Sequence, residues 1–524
     1  MRSLLVAFLL SLGPALAAQT FTVTSAADPG DGTCDATCTL RDALLAAGEN
    51  SRIAFDPALS GAIIELDGTP LPVGDVVVDA DGLGIVVDAR QLSRAMEVEA
   101  DAEATILGLT IRNGRVDEPE FGAEGGGIWT APGSSLLLIR CILADNYADG
   151  YGGGIHAKGV LTLVESRFER NGSFESGGGV FAWGELNVQQ SAFADNYAGE
   201  GGGLAAYGGL AVITSTFERN LADGGDGGGI WGRRASEITG STFYDNETVG
   251  WGGAVAIGAD LTMERSTVVD NVGDGWDGFW GGGYAYGALD LRHSTIVGNR
   301  KGGVGSRRTG VFEGNIVFGN EQLDCSVAQF DSQPSAGYNV VAGTCPSDGP
   351  GDIVLGKGDG LSGILAPALA DNGGPTHTLA LVASADNPAL DVGGTCGPAD
   401  QRGEPAPADG DGDGTALCDA GAYELAAGLI VAGAPGPDGG AGLTVGPSPF
   451  RTVARVTYEM EAPGSVRLAV FDLRGRALAV VAEGERAAGV HEAEIAGAGL
   501  APGVYVVRLA VDGEPVASRQ VVRF

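Results

Sequence analysis

From Gly125 to Asn320 apolar and polar residues alternate in runs of only a few positions, such as LTLVES and SRFER, and glycine or asparagine ends each run. A period of two marks strands whose side chains point alternately to opposite faces, and runs this short exclude helices. Six blocks align: GGGIHAKGVLTLVESRFERN from Gly152, GGGVFAWGELNVQQSAFADN from Gly177, GGGLAAYGGLAVITSTFERN from Gly201, GGGIWGRRASEITGSTFYDN from Gly227, GGAVAIGADLTMERSTVVDN from Gly252 and GGGYAYGALDLRHSTIVGN from Gly281. A repeat of about 25 residues that cannot bury its own apolar face must stack on its neighbours. The pattern predicts an all-β chain built on a right-handed parallel β-helix, with three short strands per coil.

The alternation also assigns faces. Ile128, Ile155, Val180, Leu204, Ile230 and Val255 share the first position after the triplet and are predicted inside. The next outward positions carry Trp129, His156, Phe181 and Trp231, followed by Lys158, Trp183, Tyr207 and Arg233. With coils about 4.8 Å apart, these form an aromatic and basic stripe along the axis. The loops before the triplets vary most and add Tyr147, Asp149, Tyr151, Phe174, Glu175, Trp251, Asp274, Trp276, Asp277, Phe279 and Trp280. Rings in a row suit the faces of a polymer's sugar units, and the candidate ligand-binding set is Trp129, His156, Phe181, Trp183, Tyr207, Trp231, Trp251, Trp276 and Trp280. The alternative is that the loops fold over the stripe and bury it.

Each block ends in asparagine: Asn146, Asn171, Asn196, Asn220, Asn246, Asn271 and Asn299. Asparagine tolerates a left-handed turn, and amides stacked once per coil can hydrogen-bond as a ladder, so these are structural positions. The glycine triplets serve close approach of coils; no helix follows them, which removes a phosphate-loop reading.

Composition narrows the function classes. Gly makes up 90 of 524 residues without a collagen period, and 31 basic against 67 acidic residues give a net charge of −36. That charge repels phosphate backbones and excludes nucleic acid as a partner. MRSLLVAFLLSLGPALA reads as a secretory signal ending near Ala17. Export makes disulfides the expected state of the cysteines, in the close pairs Cys34–Cys38, Cys325–Cys345 and Cys396–Cys418, which leaves Cys141 alone, pointing inward from a strand.

Chemistry is less marked. No acid stands out from the repeat, the four histidines (His156, His293, His377, His491) are scattered, and no nucleophile turn is visible, so catalytic residues stay unassigned. An enzyme on this scaffold would need two carboxylates across a glycosidic bond, or a base beside calcium or arginine. Asp409, Asp411 and Asp413 alternate before Gly414 like the opening of a calcium loop, but Ala420 stands where an EF-hand places Glu. Closing that set with Asp419, Glu424 or distant groups would make a calcium staple; a plain acidic turn is equally open. No cofactor is required.

Residues 21 to 48, with CTLRDAL in place of CSLREAI, resemble the CSLREA domain at the start of many bacterial surface proteins. DNGGPTHTLAL, NPALDVGGTC, DQRG and CDAGAYE resemble the choice-of-anchor Q region that follows such β-helices, which implies helix closure and a structural role for Cys396 and Cys418. The repeats between are similar to those of polymorphic outer membrane proteins. VGPSPF, VRLAVFDLRGRALAVV, GVHEAEI and LAPGVYVVRLAVDG resemble a type A sorting domain of the type nine secretion system. That resemblance implies a Gram-negative bacterium, passage through that secretion machinery, and a secreted or surface-attached product.

The expected order is a signal peptide (1–17), a CSLREA-like cap (18–50), the β-helix (51–345), the closing region (346–425), a linker (426–442) and a β-sandwich sorting domain (443–524). The functional expectation is an adhesin-like binder of a polysaccharide, host-surface or other extended ligand. A polysaccharide lyase or glycoside hydrolase on the same scaffold is the alternative.

Overall fold

A computed structural model describes residues 19–523 apart from 118–122, 275–280, 309, 327–333, 357–358, 385, 411–413, 427–442, 447–449, 451, 461, 472–476, 498–499, 501–502 and 512–513. The signal segment and linker residues 427–442, together with Trp276, Asp277, Phe279, Trp280, Asp411 and Asp413, lie outside the described residues. The chain forms two compact units. The first comprises Met1–Leu381, Val392–Pro407 and Leu417–Glu424; the second comprises Val382–Asp391, Ala408–Ala416 and Leu425–Phe524.

The first unit is a parallel β-solenoid of about 11 turns. Each coil contributes a strand after the glycine triplet (face 1, as Ile155–Ala157), a second strand (face 2, Val160–Val164) and a third (face 3, Arg167–Glu169). A two-residue strand follows the asparagine (face 4, Gly172–Ser173), and this fourth face was not expected from the repeat. The pairings between coils are parallel and in register, for example Ile155 with Val180 and Val180 with Leu204, apart from a shift between Ala285 and Ala288 where Gly283–Arg292 meets Val304–Arg308. The ladder starts earlier than the repeat does: Thr20–Val23 already pairs in parallel with Ser51–Phe55. The LRDALLA helix Leu40–Ala46 packs its Leu40, Ala43 and Leu44 inward. Asp42 closes a capping box with Thr39, and Arg41 holds Asp28 at 2.7 Å.

The core is a set of columns, because parallel in-register stacking places equivalent residues over one another. Ile128, Ile155, Val180, Leu204, Ile230 and Val255 are all fully buried, as alternation predicts. On face 3, Phe168, Phe193, Phe217 and Phe243 stack with centroids 4.6, 4.7 and 5.1 Å apart and nearly parallel planes. The asparagines are buried and form a ladder in which each side-chain oxygen accepts from the backbone and side-chain N–H groups of the asparagine one coil earlier. Their backbone is not left-handed. The preceding residue takes that conformation, as at Asp145, Arg170, Asp195, Arg219, Asp245 and Asp270, with φ between 51° and 57°. The physical reason is that the asparagine must aim its amide inward along the stack, so the chain reversal falls one position earlier.

A second ladder was not foreseen. Backbone N–H groups of Cys141, Ser166, Ser191, Ser215, Ser241 and Ser266 each donate to the hydroxyl of the serine one coil on, at 3.1–3.2 Å. Cys141 opens this turn column rather than sitting on a strand, and burial pushes its thiol up to about 11. Disulfides join Cys34–Cys38, Cys325–Cys345 and Cys396–Cys418.

Segments of the first unit around His377, Gln401 and Ala422 lie along the outer side of face 3. The Gln401 amide donates to Thr242 Oγ1 at 2.8 Å and its oxygen accepts from Thr267 Oγ1 at 2.6 Å. Ala422 N donates to Thr295 Oγ1, and Thr242 Oγ1 donates to the His377 carbonyl. Successive threonines at one register position thus give a polar seam that a buried glutamine zips shut.

The second unit holds a three-stranded antiparallel sheet (Thr444–Gly446, Val453–Met460, Gly489–Ala496) and a four-stranded one (Gly464–Phe471, Ala477–Arg486, Gly503–Val511, Glu514–Arg523). Val456, Tyr458, Leu468, Val507 and Leu509 fill one shared core, giving a small β-sandwich.

Candidate functional site

Face 1 carries two outward columns in register. Trp129, His156, Phe181, Ala205, Trp231, Ala256 and Tyr284 form the first. The second, two residues on, holds Lys158, Trp183, Tyr207, Arg233, Gly258, Tyr286 and Arg307. A third column stands on the loop edge beside them, immediately before each triplet: Glu124, Tyr151, Ser176, Glu200, Asp226 and Trp251. Backbone bonds along the triplets fix that register, with Gly152 N donating to Ser176 O, Gly177 N to Glu200 O and Gly201 N to Asp226 O.

At the N-terminal end the loop edge covers the stripe. His156 and Phe181 are fully buried, which corrects the expectation that both are open to solvent. They do sit on the outer side of the sheet, but the Tyr151 ring packs at 4.6 Å from Phe181, and Glu124 Oε2 lies 3.0 Å from His156 Nδ1 and 2.9 Å from Lys158 Nζ. Trp129 Nε1 donates to the same oxygen at 3.2 Å. Burial pushes the Glu124 carboxyl up, yet its bonds and charge contacts with His156, Lys158 and Trp129 outweigh that and hold it at about 2. Burial lowers the His156 imidazole against the opposing pull of Glu124. This end is a packed polar cluster rather than a binding surface.

Further along, the stripe opens. Trp183 is 47% exposed. Its ring meets Tyr207 at 4.6 Å, and Tyr207 meets Trp231 at 5.0 Å, so three rings on successive coils form one half-open row. Small residues decide where it opens: Ala205 and Ala256 leave floor space between the larger side chains of their column. A second aromatic group follows, with Trp251 at 5.3 Å from Tyr284 and 5.2 Å from Tyr286. The Arg307 guanidinium lies 4.6 Å from the Tyr286 ring centre and donates to the Tyr284 hydroxyl at 2.9 Å.

Two carboxylates, Glu200 and Asp226, stand on the loop edge of the same two adjacent coils as Tyr207 and Trp231. Burial raises Glu200 above the usual carboxylate range, the Asp226 and Glu175 charges add to it, and a bond from Ser176 opposes it. Burial raises Asp226 against one bond from Trp251 N at 2.8 Å. Burial and then the charge of Asp226 raise Tyr286, which keeps its hydroxyl protonated. Two carboxyls with elevated proton affinity beside a phenol, flanked by rings, can hydrogen-bond sugar hydroxyls and can exchange protons with them. Glu200, Asp226 and Tyr286 were not picked out from the sequence. The available signal was their register: the residue directly before each triplet stands on the loop edge beside the aromatic row.

Trp251 sits on this edge as part of the second aromatic group. Asp409 accepts from Gly414 N at 3.0 Å, while the buried Asp419 donates its N–H to Glu424. Asp409 and Asp419 fall in different compact units. Among the described residues no group of three or more His, Cys, Asp or Glu side chains gathers as a metal site. No helix among them is long and apolar enough to cross a membrane.

No protein-family model matches the chain, and no curated protein matches its sequence.

Proposed function

We propose that this chain is a surface-attached or secreted β-helix protein of a Gram-negative bacterium that binds an extended polysaccharide along face 1. The observation that carries the reading is the open row Trp183, Tyr207 and Trp231, continued past Glu200 and Asp226 to Trp251 and Tyr286. Rings supply flat apolar contact for sugar faces, and the carboxylates supply acceptors for hydroxyls. The signal-like N-terminus, the CSLREA and choice-of-anchor Q resemblances and the sorting-domain resemblance support export through the type nine machinery. They also support the division into cap, β-helix, closing region and sorting domain.

Retention of the protein on a panel of immobilised polysaccharides, with and without chelator, tests the reading. Retention that disappears in Trp231→Ala supports it; equal retention by wild type and variant overturns it. The Glu200–Asp226 pair favours one second reading, a glycoside hydrolase in which the protonated carboxyl acts as acid. New reducing ends that form with wild type and not with Glu200→Gln would establish that reading instead. A calcium requirement in either assay that is lost in Asp409→Ala would assign the acidic turn at Asp409 a ligating role.

A further inference from the structure

A cleft of about 410 Å³ opens on the other flank of the loop edge, where face 3 turns into face 4. Its lining includes Gln91, Arg115, Asp145, Tyr147, Arg170 and Tyr197. That volume falls in the range of small-ligand sites, about 300–1,000 Å³. A missing side chain shapes it. The face 4 register runs Tyr147, Gly172, Tyr197, so glycine separates two tyrosines. The Tyr197 ring tips into the vacated space, where any β-carbon on Gly172 would lie 2.1 Å from its Cζ. The two rings approach to 6.4 Å with only 30° between their planes, and Tyr197 stays 44% exposed.

The opposite wall is the left-handed turn column. There Arg170 forks onto Asp145 with bonds of 2.8 and 2.9 Å. At the N-terminal end the Arg115 guanidinium lies 5.0 Å from the Tyr147 ring centre and pairs with Asp117 at 2.6 Å. Both guanidinium groups of the cleft are already neutralised, Arg170 by Asp145 and Glu169 and Arg115 by Asp117, and Asp149 beside Tyr147 leaves the acids in the majority. An anion would meet Asp145 and Asp117, and a cation would meet Arg115 and Arg170. A neutral, hydroxyl-rich ring meets none of these penalties: tyrosine faces take its C–H side, arginine and Gln91 donate, and Asp145 accepts.

We infer that this cleft is a second binding site, separate from the face 1 groove, for a single neutral sugar residue. Tyr197 is its principal contact, and Gly172 is the position that makes room for the stack. Ligand-observed NMR on the full chain tests this, with glucose, galactose, N-acetylglucosamine and glucuronate as probes. A neutral sugar is expected to saturate the protein in high salt as in low. Its affinity is expected to fall by at least about tenfold in Tyr197→Ala and Gly172→Ala and to stay unchanged in Trp231→Ala. Tyr197 is exposed, so its replacement keeps the fold even if Gly172→Ala does not. Three outcomes overturn the proposal: no neutral sugar saturates, binding survives Tyr197→Ala, or glucuronate binds best with a steep salt dependence. Loss of sugar binding in Trp231→Ala also overturns it, because the sugar would then belong to the groove. Retention of polysaccharide by Tyr197→Ala keeps this test distinct from that of face 1.

Discussion

Replacing Asn220 by alanine removes one rung from the middle of the asparagine ladder, and the hydrogen bonds around it set the cost. The Asn220 oxygen accepts from Asn196 N at 3.1 Å and Asn196 Nδ2 at 2.9 Å. Its amide donates to Phe193 O at 2.9 Å and to Asn246 Oδ1 at 2.8 Å. Asn246 keeps its bond from Asn220 N, so the chief loss is two buried donors on Asn196 left without acceptors. At about 1–3 kcal/mol for each orphaned buried group, the variant should lose roughly 2–6 kcal/mol. In a stack where each coil contacts only its neighbours, that loss opens the adjoining coils first. Urea unfolding gives the total, and hydrogen exchange of peptides from Asn196 to Asn246 gives the location. Arg219→Gln, one residue away, removes an exposed ion pair with Asp195 and should cost less than about 1 kcal/mol. If Asn220→Ala proves as mild as Arg219→Gln, the ladder is not what holds these coils.

Phe217→Ala breaks the stacked phenylalanine column and should cost about 3–5 kcal/mol in urea, whereas a loss near zero would show that the column tolerates a gap. Burial, chiefly, raises Glu200 and Asp226 in the folded state, so the stability they contribute is complete below their unfolded values and is lost as pH rises through the folded ones. Glu200→Gln should therefore raise the melting temperature at neutral pH and flatten its rise on acidification; an unchanged pH profile would contradict this. Glu124 has the opposite sign: its stability is present above 4.5 and is lost as pH falls toward about 2, so Glu124→Gln should destabilise at neutral pH. Removing Cys325–Cys345, which spans 20 residues, should cost about 3 kcal/mol by chain entropy, against about 2 for the four-residue Cys34–Cys38 loop; reversed ranking in urea would refute the loop-length argument.

The fold was legible where the repeat imposes a register. Period-two alternation placed Ile155, Val180 and Leu204 inside, and the recurring asparagine announced a ladder, because both depend only on stacking equivalent positions. What covers an outward position was not legible. His156 and Trp231 share one column, yet Glu124 and Tyr151 roof the first and leave the second half-open, since the loops differ between coils. Register also conceals chemistry until it is written down the column. Glu200 and Asp226 look like ordinary loop acids in a chain with 67 of them, and they become a pair only when the residues before successive triplets are aligned. The same holds for the serine ladder and for the gap at Gly172, each of which is an ordinary turn residue within its own coil.

Calorimetry with a length series of the retained polysaccharide's own oligomers shows whether the aromatic row on face 1 binds one extended chain. From Trp183 to Tyr286 the row crosses four coil spacings of about 4.8 Å, roughly 19 Å in all. Affinity should climb with oligomer length until that span is filled and then level off, with Tyr207→Ala and Trp231→Ala each lowering the plateau. Affinity that is the same for the shortest and longest oligomers, or that ignores both substitutions, would contradict it.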